Sequence, residues 1–207
     1  MGLIKRIFTN SGHPKGVIGK LMVSGMNYGH ARVADWGMKH LQDIRPRVIA
    51  DIGCGGGRNV SVLLAKYPNA KLFGLDHAEV SAEKAAEYNE EAIRNGRCKI
   101  MIATVNRMPF RDEVIDLATA FETVYFWPGP LESFREVYRV LTPGGTFLIV
   151  NETDGFSESD DRRQDRTEDM VIYTKDDLCE YLREAGFRDL TVDEDRANHN
   201  LCIICRK

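Results

Sequence analysis

The stretch Val48-Ile49-Ala50-Asp51-Ile52-Gly53-Cys54-Gly55-Gly56-Gly57-Arg58-Asn59 decides the fold. Its first half, VIADIG (48–53), is a short apolar run bounded by glycine, the pattern of a strand buried on both faces. The glycines that follow let the backbone turn tightly and let a ligand come close to it. RNVSVLLAKY (58–67) then repeats apolar residues at helical spacing and stops at Pro68. Strand, glycine turn and helix in that order form the opening unit of a doubly wound α/β sheet. The first turn of such a helix offers unpaired N–H groups.

Downstream the alternation continues. AKLFGLD (70–76) is a second strand, and AEVSAEKAAEYNEEAIRNG (78–96) reads as one helix ending at Gly96. CKIMIAT (98–104) and VIDLATAF (114–121) are strands, and PLESFREVYRVLT (130–142) is a helix. Pro143-Gly144-Gly145 predicts a turn, GTFLIVNE (145–152) a fifth strand, and TKDDLCEYLREAGF (174–187) a helix. RDLTVDED (188–195) and HNLCIICRK (199–207) lie too close in sequence for a parallel crossover, so they pair as a hairpin. The expected architecture is a single doubly wound, Rossmann-like, mostly parallel seven-stranded sheet with a C-terminal antiparallel hairpin.

Upstream, HARVADWGMKHLQD (30–43) has a helical rhythm that ends before Pro46. Residues 1–30 are rich in glycine and hold no acid, while Lys5, Arg6, Lys15 and Lys20 make them basic. Their apolar positions are too sparse for a long amphipathic helix, which favours an arm packed over the domain above a membrane or nucleic-acid tether. The expected division is an arm with cover helices over 1–46 and a ligand-binding domain over 47–207. Residues 157–169, SESDDRRQDRTED, read as a solvated loop. Their place after the fifth strand also suits a flap over a ligand.

Composition bounds the function. A chain of 207 residues suits one α/β domain. Lys plus Arg is 28 against 31 for Asp plus Glu, a net charge of −3, which argues against nucleic-acid binding by charge alone. No apolar run approaches the ~18 residues of a membrane span. The opening MGLIKRIFTN lacks the continuous core of a secretory signal, so a cytoplasmic location is expected. The five cysteines are odd in number and scattered. Cys202 and Cys205 form a C-x-x-C, but three positions apart on a strand they face opposite ways. They are expected to be packing residues, and no metal site is expected.

The glycine loop constrains the ligand. Counted from Gly53, the third glycine of a dinucleotide fingerprint falls on Arg58, and no G-K-[ST] follows for a phosphate loop. Asp51 at the strand tip would repel a pyrophosphate and attract an amine. Asp76 closes the second strand, where an acid in this fold binds ribose hydroxyls. A ribose, a cationic amine with a carboxylate and no obligatory phosphate describe S-adenosylmethionine.

DIGCGGGRN, GLDHAEVSAEKA, MPFRDEVIDLATAFE and EVYRVLTPGGTFLIVNE, in that order and spacing, resemble the class I S-adenosylmethionine-dependent methyltransferases over residues 47–207. The resemblance implies S-adenosylmethionine as cofactor and S-adenosylhomocysteine as product. It implies that Asp51 and the backbone of Gly53, Cys54 and Gly55 hold the methionine end, with Asn59 in the same loop. It places Asp76 on the ribose hydroxyls and His77 against the adenine. Thr104 stands where the family often has an acid for the adenine amino group, which leaves the backbone contact at Val105. The Phe121 carbonyl would pass near the ligand's amine.

The acceptor is less legible. FETVYFW (121–127) is not the Asn/Asp-Pro-Pro-aromatic motif of methyltransferases acting on exocyclic base amines, which disfavours nucleic acid. A small molecule with a hydrophobic or aromatic body is the first expectation. A protein acceptor, a binding protein without transferase activity and a dehydrogenase-like nucleotide enzyme stay open. Tyr28, His30, Glu122, Tyr125, Trp127, Asn151 and Tyr173 are candidates for the acceptor pocket, with Tyr125 or His30 as a base. Oligomeric state is not legible.

Overall fold

The computed structural model describes residues 30–153, 155 and 170–207. A short helix α1 (Ala31–Gly37) and a 3-10 turn (Met38–Leu41) precede the sheet. There follow β1 (Val48–Ile52), α2 (Arg58–Lys66), β2 (Lys71–Asp76), α3 (Glu79–Tyr88), α4 (Glu90–Arg94), β3 (Cys98–Ile102) and β4 (Ile115–Phe121). Then come a 3-10 turn (Val124–Phe126), α5 (Pro130–Val140), β5 (Leu141–Asn151), α6 (Lys175–Glu184), β6 (Arg188–Asp195) and β7 (Asn200–Arg206). The seven strands are ordered β3-β2-β1-β4-β5-β7-β6. β1 to β5 run parallel and β7 is antiparallel to both β5 and β6, so the expected doubly wound sheet with its terminal hairpin is the observed one.

Two apolar layers hold the sheet. The alternation along β5 shows the cause: Phe147 and Ile149 enter the layer of α5 and α6, while Leu148 and Val150 enter that of α1 and α2. On α5, Phe134, Val137 and Val140 recur at helical spacing and are fully buried. Gly37 lets α1 lie directly on β5, because a Cβ there would overlap Val150. Cys205 packs in the first layer and Cys202 in the second, both as free buried thiols. No helix among the described residues is long and apolar enough to cross a membrane.

Three elements depart from the sequence expectation. The helix expected over 78–96 breaks at Asn89. The Asn89 Nδ2 donates to Gly57 O and Ala85 O, both at 2.9 Å, which ties the break to the glycine loop. Pro143-Gly144-Gly145 is no separate turn. It lies inside β5, where the register with β4 jumps from Ile115↔Leu141 to Leu117↔Thr146 and the extra residues bulge out. The helix expected over 30–43 tightens to 3-10 geometry at Met38. Tyr28, the arm before residue 30 and the expected flap over 157–169 lie outside the described residues.

Candidate functional site

The strand order reverses between β1 and β4, and ligands of doubly wound sheets sit beyond the carboxyl ends of the strands at such a switch. Here the residues after β1, β2, β4 and β5 converge. The glycine loop is pinned to the tip of β2: the amides of Gly53 and Cys54 both donate to Leu75 O, at 2.7 and 2.9 Å. The Gly55 amide donates to Asp76 Oδ2 at 2.9 Å. These three amides tie the glycine loop to the end of β2. Gly55 faces open space: a Cβ added there would meet nothing within 4 Å.

Asp51 is 1% exposed at the tip of β1. Its Oδ1 accepts from the Thr119 hydroxyl at 2.7 Å, and its Oδ2 is buried without a hydrogen-bond partner among the described residues. A buried carboxylate oxygen in that state calls for a donor. Burial, opposed by the Thr119 hydroxyl and aided by the charge of Asp76, raises the Asp51 carboxyl to about 7. Asp76 accepts from the amides of Gly55 and Ala78, each at 2.9 Å. Its carboxyl is also raised by burial, against the opposing pull of those two amides and of His77.

The other expected cofactor contacts fall around this pair. His77 Nδ1 lies 3.8 Å from Asp76 Oδ1 at the same strand tip. Cys54 is buried in the second layer, where burial drives its thiol far up, so it is a packing residue in its side chain. Asn59 Oδ1 accepts from Arg58, whose guanidinium also grips both oxygens of Asp35 at 2.7 Å. Thr104 is exposed beyond β3, while Val105 and Phe121 are each 6% exposed.

On the acceptor side the structure gathers some candidates and removes one. Trp127 belongs to the core: its ring stacks on Phe147 at 6.1 Å and meets Phe134 edge-on at 5.8 Å. The 3-10 turn over Val124–Phe126 swings it inward, and its Nε1 donates to Thr123 Oγ1 at 3.3 Å. Tyr125 is also buried, with its hydroxyl 3.5 Å from Glu122 Oε1. The Val171 amide donates to Tyr125 O, so the chain returning before α6 crosses here. Tyr173 sits edge-on to Tyr181 at 6.0 Å. Asn151 is buried at the end of β5, and its Oδ1 has no partner among the described residues. His30 Nδ1 lies 2.9 Å from Glu152 Oε2 and 3.6 Å from Glu122 Oε2.

Thr119 and Glu152 join the site without being among the residues expected from the sequence. Thr119 carries a signal: it is the lone hydroxyl in the buried run IDLATAF, and a polar group in such a place needs a partner. Glu152 carries none, because its partner His30 is far away along the chain.

Residues 50–149 match the methyltransferase domain family. A cycloartenol-C-24-methyltransferase of Oryza sativa subsp. japonica is 34% identical over 101 residues, 49% of this chain and 29% of that protein. A 27-O-demethylrifamycin SV methyltransferase of Amycolatopsis mediterranei is 26% identical over 152 residues, 70% of this chain and 56% of that protein. The chain therefore spans less than two thirds of these curated relatives. A SAM-dependent methyltransferase from Aquifex aeolicus shares the fold, with a TM-score of 0.75 at 15% identity, over 90% of this chain and 97% of that one.

Proposed function

We propose that this chain, whose residues 50–149 match the methyltransferase domain family, is a class I enzyme that transfers a methyl group from S-adenosylmethionine to a small-molecule acceptor with a hydrophobic or aromatic body. The observation that supports the donor site best is Asp51 Oδ2, a buried acceptor atom with no partner among the described residues, at the mouth of the glycine loop. An α-ammonium group satisfies it. Open space over Gly55 leaves room for the ligand's carboxylate end. The Asp76 oxygens accept from the amides of Gly55 and Ala78 and keep further acceptor capacity, which suits the two ribose hydroxyls. When bound, the donor supplies a methyl group already activated on a sulfonium.

What remains for the chain is positioning and exclusion of water. To the acceptor side we assign Tyr125 and Tyr173, with Glu122, Glu152 and His30 at its polar end, where His30 bonds Glu152 and the Tyr125 hydroxyl faces Glu122. The acceptor class is supported by relatives named for cycloartenol and for 27-O-demethylrifamycin SV.

Calorimetric titration of the chain with S-adenosylmethionine, and separately with NAD, tests the reading. Saturable binding of the first and none of the second is expected. Methyl-labelled donor with hydroxylated aromatic and terpenoid acceptors then reads transfer. Absence of donor binding would remove the proposal, and donor binding without transfer to any acceptor would make the chain a binding protein.

The pH dependence is specific. Asp51 titrates at about 7 in the free chain, and a cationic ligand needs its carboxylate form. Between pH 6 and 8 the ionised fraction rises about tenfold, so affinity is expected to rise by about the same factor. At pH 6 binding should release a proton, read from titrations in two buffers of different ionisation enthalpy. Equal affinity at both pH values would place the ligand's charge away from Asp51.

A further inference from the structure

Asp51 lies where a charged group finds little help. By strand alternation it shares a face of the sheet with Ile49, and Thr119 shares that face with Leu117 and Phe121. All three apolar residues belong to the layer of α1 and α2, as does Leu148, which stands beside Thr119 on β5. Two residues are in register with Asp51 on the neighbouring strands, Gly74 on β2 and Thr119 on β4. Gly74 has no side chain to offer, so the carboxylate's cross-strand bond comes from Thr119.

Thr119 is fully buried, and its hydroxyl donates to Asp51 Oδ1 at 2.7 Å. The strand itself does not ask for that hydroxyl: valine has the same shape and the same preference for strands, and burying a hydroxyl costs free energy unless it is bonded. What the hydroxyl supplies is the bond to Asp51. A donor to the charged form of a carboxyl favours that form, and Thr119 is the group that opposes burial and Asp76 at Asp51. The other titratable groups acting with Asp51 are the thiols of Cys54 in the glycine loop and Cys98 on β3, which burial keeps neutral near pH 7. The bond also fixes the plane of the carboxyl, which leaves Oδ2 as the atom without a partner among the described residues.

We propose that Thr119 is a positioning residue of the donor site: its hydroxyl holds Asp51 Oδ1 so that Oδ2 meets the ligand's α-ammonium group as a carboxylate at neutral pH. Thr119 acts through Asp51. Without the hydroxyl, burial and Asp76 prevail, the carboxyl keeps its proton to higher pH, and a cationic ligand meets a neutral group. Thr119 thereby sets the lower pH limit of donor binding. The ligand in this statement rests on the methyltransferase reading; the hold of Thr119 on Asp51 does not.

The test is calorimetric titration with S-adenosylmethionine from pH 6 to pH 8.5, on the full chain and on Thr119→Val and Thr119→Ser. In Thr119→Val the pH of half-maximal affinity is expected to rise by ~1 pH unit, about the effect of one hydrogen bond to a carboxylate. Its affinity is then ~tenfold lower at pH 6 and within ~twofold of the unaltered chain at pH 8.5. Thr119→Ala, which removes the hydroxyl without new bulk, should show the same displacement. Thr119→Ser keeps the hydroxyl and should restore the original profile, whatever the lost methyl group costs in stability. A loss of equal size at every pH, an unchanged profile in Thr119→Val and Thr119→Ala, or no recovery in Thr119→Ser would overturn the role. NMR of the Asp51 carboxyl carbon in the free chain makes the same comparison without ligand, and its midpoint should rise in Thr119→Val. If the unaltered chain binds no S-adenosylmethionine, the methyltransferase reading falls, and the NMR midpoints still decide whether Thr119 holds Asp51 in its charged form.

Discussion

Asp76→Ala is expected to lower the affinity for S-adenosylmethionine by at least ~100-fold, about 2.7 kcal/mol. Two effects add. A hydrogen bond to a charged group is worth about 1.5–3 kcal/mol, and the two ribose hydroxyls lose theirs together. The Gly55 and Ala78 amides also lose the acceptor that ties the glycine loop to the end of β2. Asp76→Asn separates these contributions, because it keeps the shape and one oxygen acceptor, and an intermediate loss is expected. The pH profile supplies a second readout. Asp76 helps to raise the Asp51 carboxyl, so removing it should move the pH dependence of binding downward. Calorimetry at several pH values reads both, and an affinity within ~threefold of the unaltered chain would take Asp76 out of the ligand site.

The largest effect on stability is expected from Gly57→Ala. Gly57 has φ 82, a left-handed conformation that costs a residue with a Cβ about 1–2 kcal/mol. The added Cβ would stand 2.7 Å from the Ala85 Cα and 2.6 Å from the Asn89 Nδ2. The Ala85 atom is helix backbone and cannot swing aside, so α2 and α3 must part. Overpacking of this kind costs about 1–3 kcal/mol more. The total is about 2–5 kcal/mol, read as a lowered midpoint in denaturant. Gly55→Ala is the comparison: its Cβ would meet nothing within 4 Å, so only the conformational cost at φ 52 applies. Equal losses in the two variants would show that the contact with α3 carries no weight.

The strands were legible in the sequence because a strand buried on both faces must be a continuous apolar run, and VIADI and IDLATAF are such runs. Asp51 and Asp76 were legible because each sits at the end of a strand, where side-chain direction follows from the strand itself. Trp127 was misplaced for the opposite reason. Its direction depends on φ 57 at Glu122 and the 3-10 turn after it, and hydropathy does not encode either. The bulge at Pro143-Gly144-Gly145 shares residues with an ordinary turn, and only pairing with β4 tells them apart. Asn89 looks like any polar helix position until the glycine loop supplies the carbonyl it binds. The His30 and Glu152 contact joins opposite ends of the domain, and no local pattern announces it.

The hairpin has a consequence for how the protein is made. β7 lies between β5 and β6, yet β6 precedes it in the chain. A ribosome therefore delivers β6 before the strand that will hold it. Until residues 200–206 leave the exit tunnel, β5 presents an open backbone edge and β6 has no partner. At ~5–20 residues per second that interval is short, but it leaves the β5 edge open to pairing with other chains. Codon-dependent pausing before residue 200 would lengthen it, and chaperone demand should rise with the length of the pause.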